Sequence, residues 1–410
     1  MVPKTLLLTN HAPGRKSAGG VFLQNILETY PKSRICCFHT KPLPDNGQNP
    51  DLSWLPMEYG KAPTKYGLRR LGHRIGRYSR AIVERYFELV RIPRLVDKVV
   101  KFGKTHQVDL VLATLDSMAT VRLAKPVAES LGVPLVVIVW DPPKYNLCMK
   151  YGLDDYSSAR LLRTFYNTVR FAASCSVPSE AMKRCYEKEY GTECVVMVYG
   201  SRPNRSISDP VVRSDPEKLL VGFAGSIIAD NVWDSFVSAL AGQNWRISGR
   251  EVVIRMHGAR LNLNVNIPLQ IEFRGWRSHS ETIQSLSETD LVYLPYPLDD
   301  SYKEFVAFSF PSKMAAYMAA EVPVFYHGPK GSSASEFIEK FGVGVMCHSL
   351  DHGEIIESLE SYMADQEAYQ RARQGCKIAF EKELSTSVFR KRLIKFIGVR
   401  EDELLPAVDM

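Results

Sequence analysis

Short apolar runs, each followed by a turn and then by a stretch with helical spacing, recur along this chain. Residues 5–9 (TLLLT) form the first run, and a helical pattern follows over 21–29. Residues 109–114, 133–140, 172–177 and 195–198 continue the series, with helical patterns over 119–131 and 179–190. Runs that are apolar throughout, rather than alternating, indicate strands buried on both faces and hence parallel sheets covered by helices. Residues 200–217 break the rhythm, with three prolines, four serines and no periodicity, and read as a linker. The alternation then restarts. Strands are expected at 219–224, 252–256, 271–274, 291–295 and 322–326, and clear helices at 278–287 and 312–320. A last helix near 387–397 carries Phe389, Leu393 and Phe396 on one face.

The expected fold class is α/β, with two doubly wound, Rossmann-like domains facing each other across a central cleft. The first domain spans 1–200, the linker 201–217 and the second domain 218–385. A tail helix in 386–410 is expected to pack back on the first domain. A length of 410 residues suits two such domains. Strands of this kind bind ligands at their C-terminal ends.

Composition is that of a globular protein, 45% hydrophobic and 24% charged. The net charge of +7 is unevenly spread: residues 61–104 hold 13 Lys/Arg against Glu84, Glu88 and Asp97, so this segment is +10 and the rest −3. Within it Leu68, Leu71, Ile75, Tyr78, Ile82, Tyr86 and Leu89 make one helical stripe. Lys65, Arg69, Arg70, Arg74, Arg77 and Arg80 flank the stripe. Such a segment either covers a core with a solvated basic face or docks on an anionic acceptor or membrane surface. No nucleic-acid module accompanies it, so nucleic acid is not an expected partner. The eight cysteines show no metal or disulfide spacing and are expected as reduced thiols. The first residues lack a long apolar run, and the longest one, 133–140, is too short to span a bilayer. A cytoplasmic protein is expected, docked on the inner membrane face if the basic segment meets lipid.

Several residues sit where chemistry is expected. Asp141 and Asp116 follow two of the buried runs and are the first and second candidate general bases, Asp141 with an ordinary cap of its Pro-rich turn as the alternative. His11 and Arg15, in the first loop, are placed to meet an acceptor or a phosphate. Gly19-Gly20 reads as a strand-to-helix turn that admits a phosphate or serves only as a turn. In FPSKMAAYMAA, Ser312 is expected at a helix N-cap and Lys313 in the first turn, a favourable arrangement for an anion. Gly225 and Ser226 end the first strand of the second domain.

The segments FRGWRSHSETIQSLSETDLVYLPYPL and FSFPSKMAAYMAAEVPVF, with the first loop TNHAPGRKSAGGVFLQNIL, resemble glycosyltransferases of the GT-B fold, most like family 4. The resemblance implies transfer of a sugar from a nucleoside diphosphate sugar to a glycan or lipid-linked acceptor, in surface polysaccharide or glycoconjugate synthesis. It implies no cofactor and no metal. It places Gly20 at the donor diphosphate, Gly275, Trp276 and Arg277 at the nucleotide base, Tyr296 as a second wall, and Ser309, Ser312 and Lys313 in the donor site. The family's glutamate pair falls on Phe308 and Ala316, so Glu304 and Asp300 are expected to meet the sugar instead. The usual His-Asp strand tip reads Trp140-Asp141, and the loop after Ser226 lacks the usual cationic clamp. Two alternatives stay open: a nucleotide-sugar 2-epimerase of the same fold, and a non-catalytic nucleotide-sugar-binding scaffold.

Overall fold

The structure, a computed structural model, describes residues 2–14, 18–42, 52–62, 82, 84–149, 151–202, 216–258 and 270–404. Arg15, Arg69, Arg70, Arg74 and Arg77 lie outside the described residues, as does 203–215 of the expected linker. The chain forms two compact units: Met1–Tyr199 with Phe389–Met410, and Gly200–Val388.

The first unit is built on a parallel sheet of β1 (Thr5–Thr9), β2 (Ile35–His39), β3 (Met57–Tyr59), β4 (Leu110–Thr114), β5 (Leu135–Ile138), β6 (Ser174–Val177) and β7 (Cys194–Val196). Their order across the sheet is β3-β2-β1-β4-β5-β6-β7. Every residue of β1, β2, β4, β5 and β6 is buried, as strands covered on both faces require. The chain builds outward from β1 through β2 and β3, then returns to the other side of β1 for β4. The sheet therefore reverses direction between β1 and β4. The core of this unit joins Leu7, Leu112, Val136 and Ile138 to Phe22, Leu23 and Ile26 of the helix Ala18–Thr29. Phe389, Leu393 and Phe396 of the helix Thr386–Ile397 enter the same core, with Phe389 edge-on to Phe22.

The second unit repeats the plan with β8 (Lys218–Ala224), β9 (Arg246–Ile247), β10 (Arg250–His257), β11 (Ile271–Gly275), β12 (Leu291–Pro295), β13 (Val324–His327) and β14 (Gly344–Cys347). The order is β11-β10-β8-β12-β13-β14, all parallel, with short β9 antiparallel beside β10. Here the reversal falls between β8 and β12. Aromatic packing fills the core: Phe236 stacks on Tyr293 at 4.1 Å, and Trp233 meets Phe223 edge-on. The helix His279–Ser287 starts with the box its sequence SHSE encodes. The Ser278 hydroxyl accepts from the Glu281 N–H, and the Glu281 carboxylate accepts from the Ser278 N–H.

Two local expectations are corrected. Gly19 and Gly20 are not a turn; they lie inside the helix Ala18–Thr29. Gly19 is small because a Cβ there would stand 2.9 Å from the Trp140 ring, which packs on this helix. Trp140 in turn has left its strand: β5 ends at Ile138, and the indole lies edge-on to Phe22.

Candidate functional site

In open parallel sheets the loops at a strand-order reversal splay apart and leave a crevice at the C-terminal ends of the strands. Each unit has one such place, and the candidate residues gather there.

In the first unit the reversal lies between β1 and β4. His11 follows β1 and Asp116 follows β4, and the His11 Nε2 stands 3.9 Å from the Asp116 Oδ2. The Asp116 side chain is 8% exposed and that of His11 39%, so the imidazole is open and its carboxylate partner is not. The other carboxylate oxygen, Oδ1, accepts from the Thr114 hydroxyl at 2.8 Å. The Thr9 hydroxyl donates to the His11 carbonyl at 3.0 Å, and Thr9 and Thr114 also meet at 3.2 Å. The last residues of two adjacent strands thus fix both members of a His–Asp pair. Ser117, next in the chain, caps the helix Met118–Leu131 by accepting from the Thr120 N–H. Tyr151 is a neighbour that the sequence does not reveal. Burial raises its phenol pKa, and the Asp116 charge raises it further. Asp141 stands in the bend after β5, half-buried, three residues beyond the strand end.

In the second unit the reversal lies between β8 and β12, and Lys313 comes to it. Its ammonium sits 4.0 Å from the centre of the Phe223 ring and donates to the Ser226 carbonyl at 3.2 Å. No carboxylate accompanies it among the described residues. Burial pushes its pKa down to about 7. The helix Met314–Ala319 holds it there through Tyr317, whose hydroxyl accepts from the Ala224 N–H at 3.2 Å and donates to the Tyr293 carbonyl at 3.0 Å. Ser312 is not the helix N-cap: Lys313 occupies that position, and Ser312 is exposed in the turn before it.

The tips of β8, β10 and β11 are laced together by glycine backbone. The Gly225 N–H donates to the His257 carbonyl at 2.8 Å, and the Gly258 N–H to the Gly275 carbonyl at 3.0 Å. Gly225, Gly258 and Gly275 all have positive φ, and a Cβ on Gly258 would stand 2.6 Å from the Gly225 oxygen. Trp276, next in the chain, is 68% exposed, so its indole face is open rather than packed in the core. Arg277, Ser226 and Glu304 are also exposed.

Tyr296 and Ser309 are placed differently from the expectation. Tyr296 is 2% exposed and offers no open face. Its hydroxyl donates to the Ser309 carbonyl at 3.1 Å, and the Ser333 hydroxyl donates to the same oxygen. Ser309 is itself buried. This pair ties the loop before Lys313 to β12 from beneath. Among the described residues, no group of three or more His, Cys, Asp or Glu is gathered to hold a metal ion. No described helix is long and apolar enough to cross a membrane.

Comparison with known proteins adds to this geometry. Residues 238–397 match the C-terminal domain of glucosyltransferase 3-like proteins. No curated protein matches this sequence. Among solved structures, Anabaena HepE in complex with UDP has a TM-score of 0.64 at 16% identity, covering 96% of this chain and 99% of that one. Sucrose-phosphate synthase from Thermosynechococcus elongatus has a TM-score of 0.65 at 10% identity, covering 96% and 98%. The lipopolysaccharide outer core galactosyltransferase WaaB, in its apo form, has a TM-score of 0.61 at 11% identity, covering 96% and 99%. The chain has the GT-B fold of these structures over almost its whole length, and residues 238–397 are similar to the C-terminal domain of glucosyltransferase 3-like proteins.

Proposed function

We propose that this GT-B chain is a hexosyltransferase that moves glucose from UDP-glucose to a hydroxyl of a glycan or lipid-linked acceptor. The observation that carries the donor half is Lys313, an ammonium at the reversal of the second sheet with no carboxylate beside it among the described residues. A half-buried cation of this kind gains from an anionic ligand, and a diphosphate fits. The choice of UDP-glucose draws support from the glucosyltransferase 3-like match and from HepE, solved with UDP-glucose at a TM-score of 0.61.

His11 and Asp116 supply the acceptor half. The Asn10 side-chain amide donates to Nε2 at 3.2 Å, which leaves the imidazole's own proton on Nδ1; Nε2, 3.9 Å from the Asp116 carboxylate, is the nitrogen that takes the acceptor proton. The acceptor oxygen then bonds to the anomeric carbon as the bond from that carbon to the diphosphate oxygen breaks. UDP leaves with its charge stabilised by Lys313. Asn10 orients the imidazole, and the Asp116 charge stabilises the imidazolium that forms. No metal is needed in this scheme, so activity should survive EDTA.

The acceptor side also bears on the membrane reading. Ile82, Tyr86 and Leu89 are 69%, 55% and 56% exposed. Glu84 is bound to Arg122 at 2.9 Å and Glu88 to Arg160 at 2.6 Å, which ties other positions of the same stretch down. The described residues of the apolar stripe, Ile82, Tyr86 and Leu89, therefore face outward, within the segment of highest positive charge, as docking on an anionic bilayer needs. Co-sedimentation with vesicles rich in anionic lipid, and not with neutral ones, is the expected result, and Leu89→Glu should weaken it. Equal behaviour with both vesicle types would remove the membrane from the proposal.

The overall test is UDP release from UDP-glucose, with and without an extract of lipid-linked glycans. Acceptor-dependent release is expected. Conversion of UDP-glucose to a 2-epimer without acceptor would favour the isomerase, and UDP binding with no turnover the scaffold.

A further inference from the structure

His257 stands at the tip of β10, between the Gly225 and Gly275 turns. It is 3% exposed, and neither ring nitrogen has a hydrogen-bond partner among the described residues. Two orphaned nitrogens on one buried ring are unusual, because each gave up water on burial and regained nothing. The neighbours that bear on the ring are cations: Arg277, Arg255 and Arg274. Burial first, and these three charges second, lower its pKa to about 4, so the imidazole is neutral, with one N–H donor and one acceptor nitrogen.

The surroundings point to a ligand. Val252, Ile254 and Met256 of β10 enter the hydrophobic core. The pairing of β10 with β11 shifts register between Met256 and His257, a bulge of the kind that re-aims a side chain beside a site. Arg255, Arg274 and Arg277 line a groove of about 530 Å³ along the helix His279–Ser287, with Ser280, Glu281 and Gln284 opposite. The exposed Trp276 stands in the chain between Gly275 and the groove-lining Arg277. From Lys313 over β8 to β11 is two strand spacings of about 4.8 Å each, the reach of a ribose carrying its phosphates.

We infer that His257 reads the donor's nucleobase, with one imidazole nitrogen hydrogen-bonded to the N3 edge of uracil. This rests on the reading of the chain as a UDP-sugar transferase. The base slides beneath the Trp276 rim toward the β10 tip and supplies the partner that the ring lacks. Lys313 holds the diphosphate at β8. Affinity for the base and affinity for the phosphates are thus carried by different strands.

The test uses the full-length protein labelled with 15N-histidine, titrated with UDP and separately with inorganic pyrophosphate. UDP is expected to shift the His257 ring nitrogens, and pyrophosphate to leave them unmoved. His257→Phe should weaken UDP roughly ten- to a hundredfold while pyrophosphate binding stays as in the parent. His257→Gln keeps a hydrogen-bonding group of similar reach and should recover part of the UDP affinity. It also serves if the phenylalanine variant does not fold. UDP binding with an unmoved His257 ring, or unchanged UDP affinity in the folded variants, would overturn the inference and leave the ring bonded to an internal water. That outcome leaves the transferase reading standing, whereas failure of both UDP and pyrophosphate to bind would overturn both.

Discussion

The two sheets share one topology and carry opposite chemistry at their reversal points. At β1 and β4 the loops deliver an imidazole and a carboxylate, 3.9 Å apart. At β8 and β12 they deliver a lone ammonium seated on an aromatic ring. The first arrangement suits moving a proton; the second suits holding an anion. Under the proposal the two are complementary, the first activating an acceptor and the second stabilising a leaving group. The fold supplies the same crevice twice, and a few residues at strand tips decide what each crevice does.

Substitutions should separate the halves. His11→Ala is expected to have the largest effect, lowering kcat about 10²- to 10⁴-fold, as loss of a general base does. UDP affinity should not change, and steady-state kinetics with isothermal titration checks both. A comparable loss of UDP affinity would mean that the imidazole touches the donor.

Lys313→Met comes next, with UDP affinity reduced roughly ten- to a hundredfold, the range of one charge-assisted contact. A pH dependence accompanies it. With the folded pKa near 7 and the unfolded value near 10.5, the unfolded chain binds more protons between those limits. The ligand-free protein should therefore lose stability as pH falls from about 10.5 to about 7, and the Lys313→Met variant should lose less. UDP affinity runs the other way, weakening as pH rises above about 7 and the ammonium deprotonates. Melting curves and titrations at several pH values test both signs.

Tyr296→Phe is the mildest and sharpens the contrast between holding a ligand and holding the fold. Losing the bond to the Ser309 carbonyl should cost about 1 kcal/mol of stability and leave UDP affinity close to the parent. A large loss of UDP affinity at unchanged stability would return Tyr296 to the donor site.

The strands were legible because both faces of each are covered: 5–9 and 291–295 coincide with β1 and β12. The box SHSE was equally readable, since capping is local chemistry. β2 went unread despite its fully buried ICCFH, because the turn-rich TKPLPDNGQNP that follows it leads into no helical pattern nearby. The errors arose where a distant partner decides. Gly19-Gly20 reads as a turn until the Trp140 ring is seen against it, and Tyr296 reads as a wall until its hydroxyl finds Ser309. Asp116 and His11 were each candidates, but 105 residues separate them, and only the β1–β4 pairing brings them together. His257 was overlooked, although a histidine followed by glycine at the end of an apolar strand was there to see.

The division of labour between the two crevices is tested most directly by one titration: UDP against the parent protein, His11→Ala and Lys313→Met, each checked for folding by its melting curve. The account predicts equal affinity for the parent and His11→Ala, and affinity at least tenfold weaker for Lys313→Met. Equal affinity in all three, or a loss confined to His11→Ala, would contradict it.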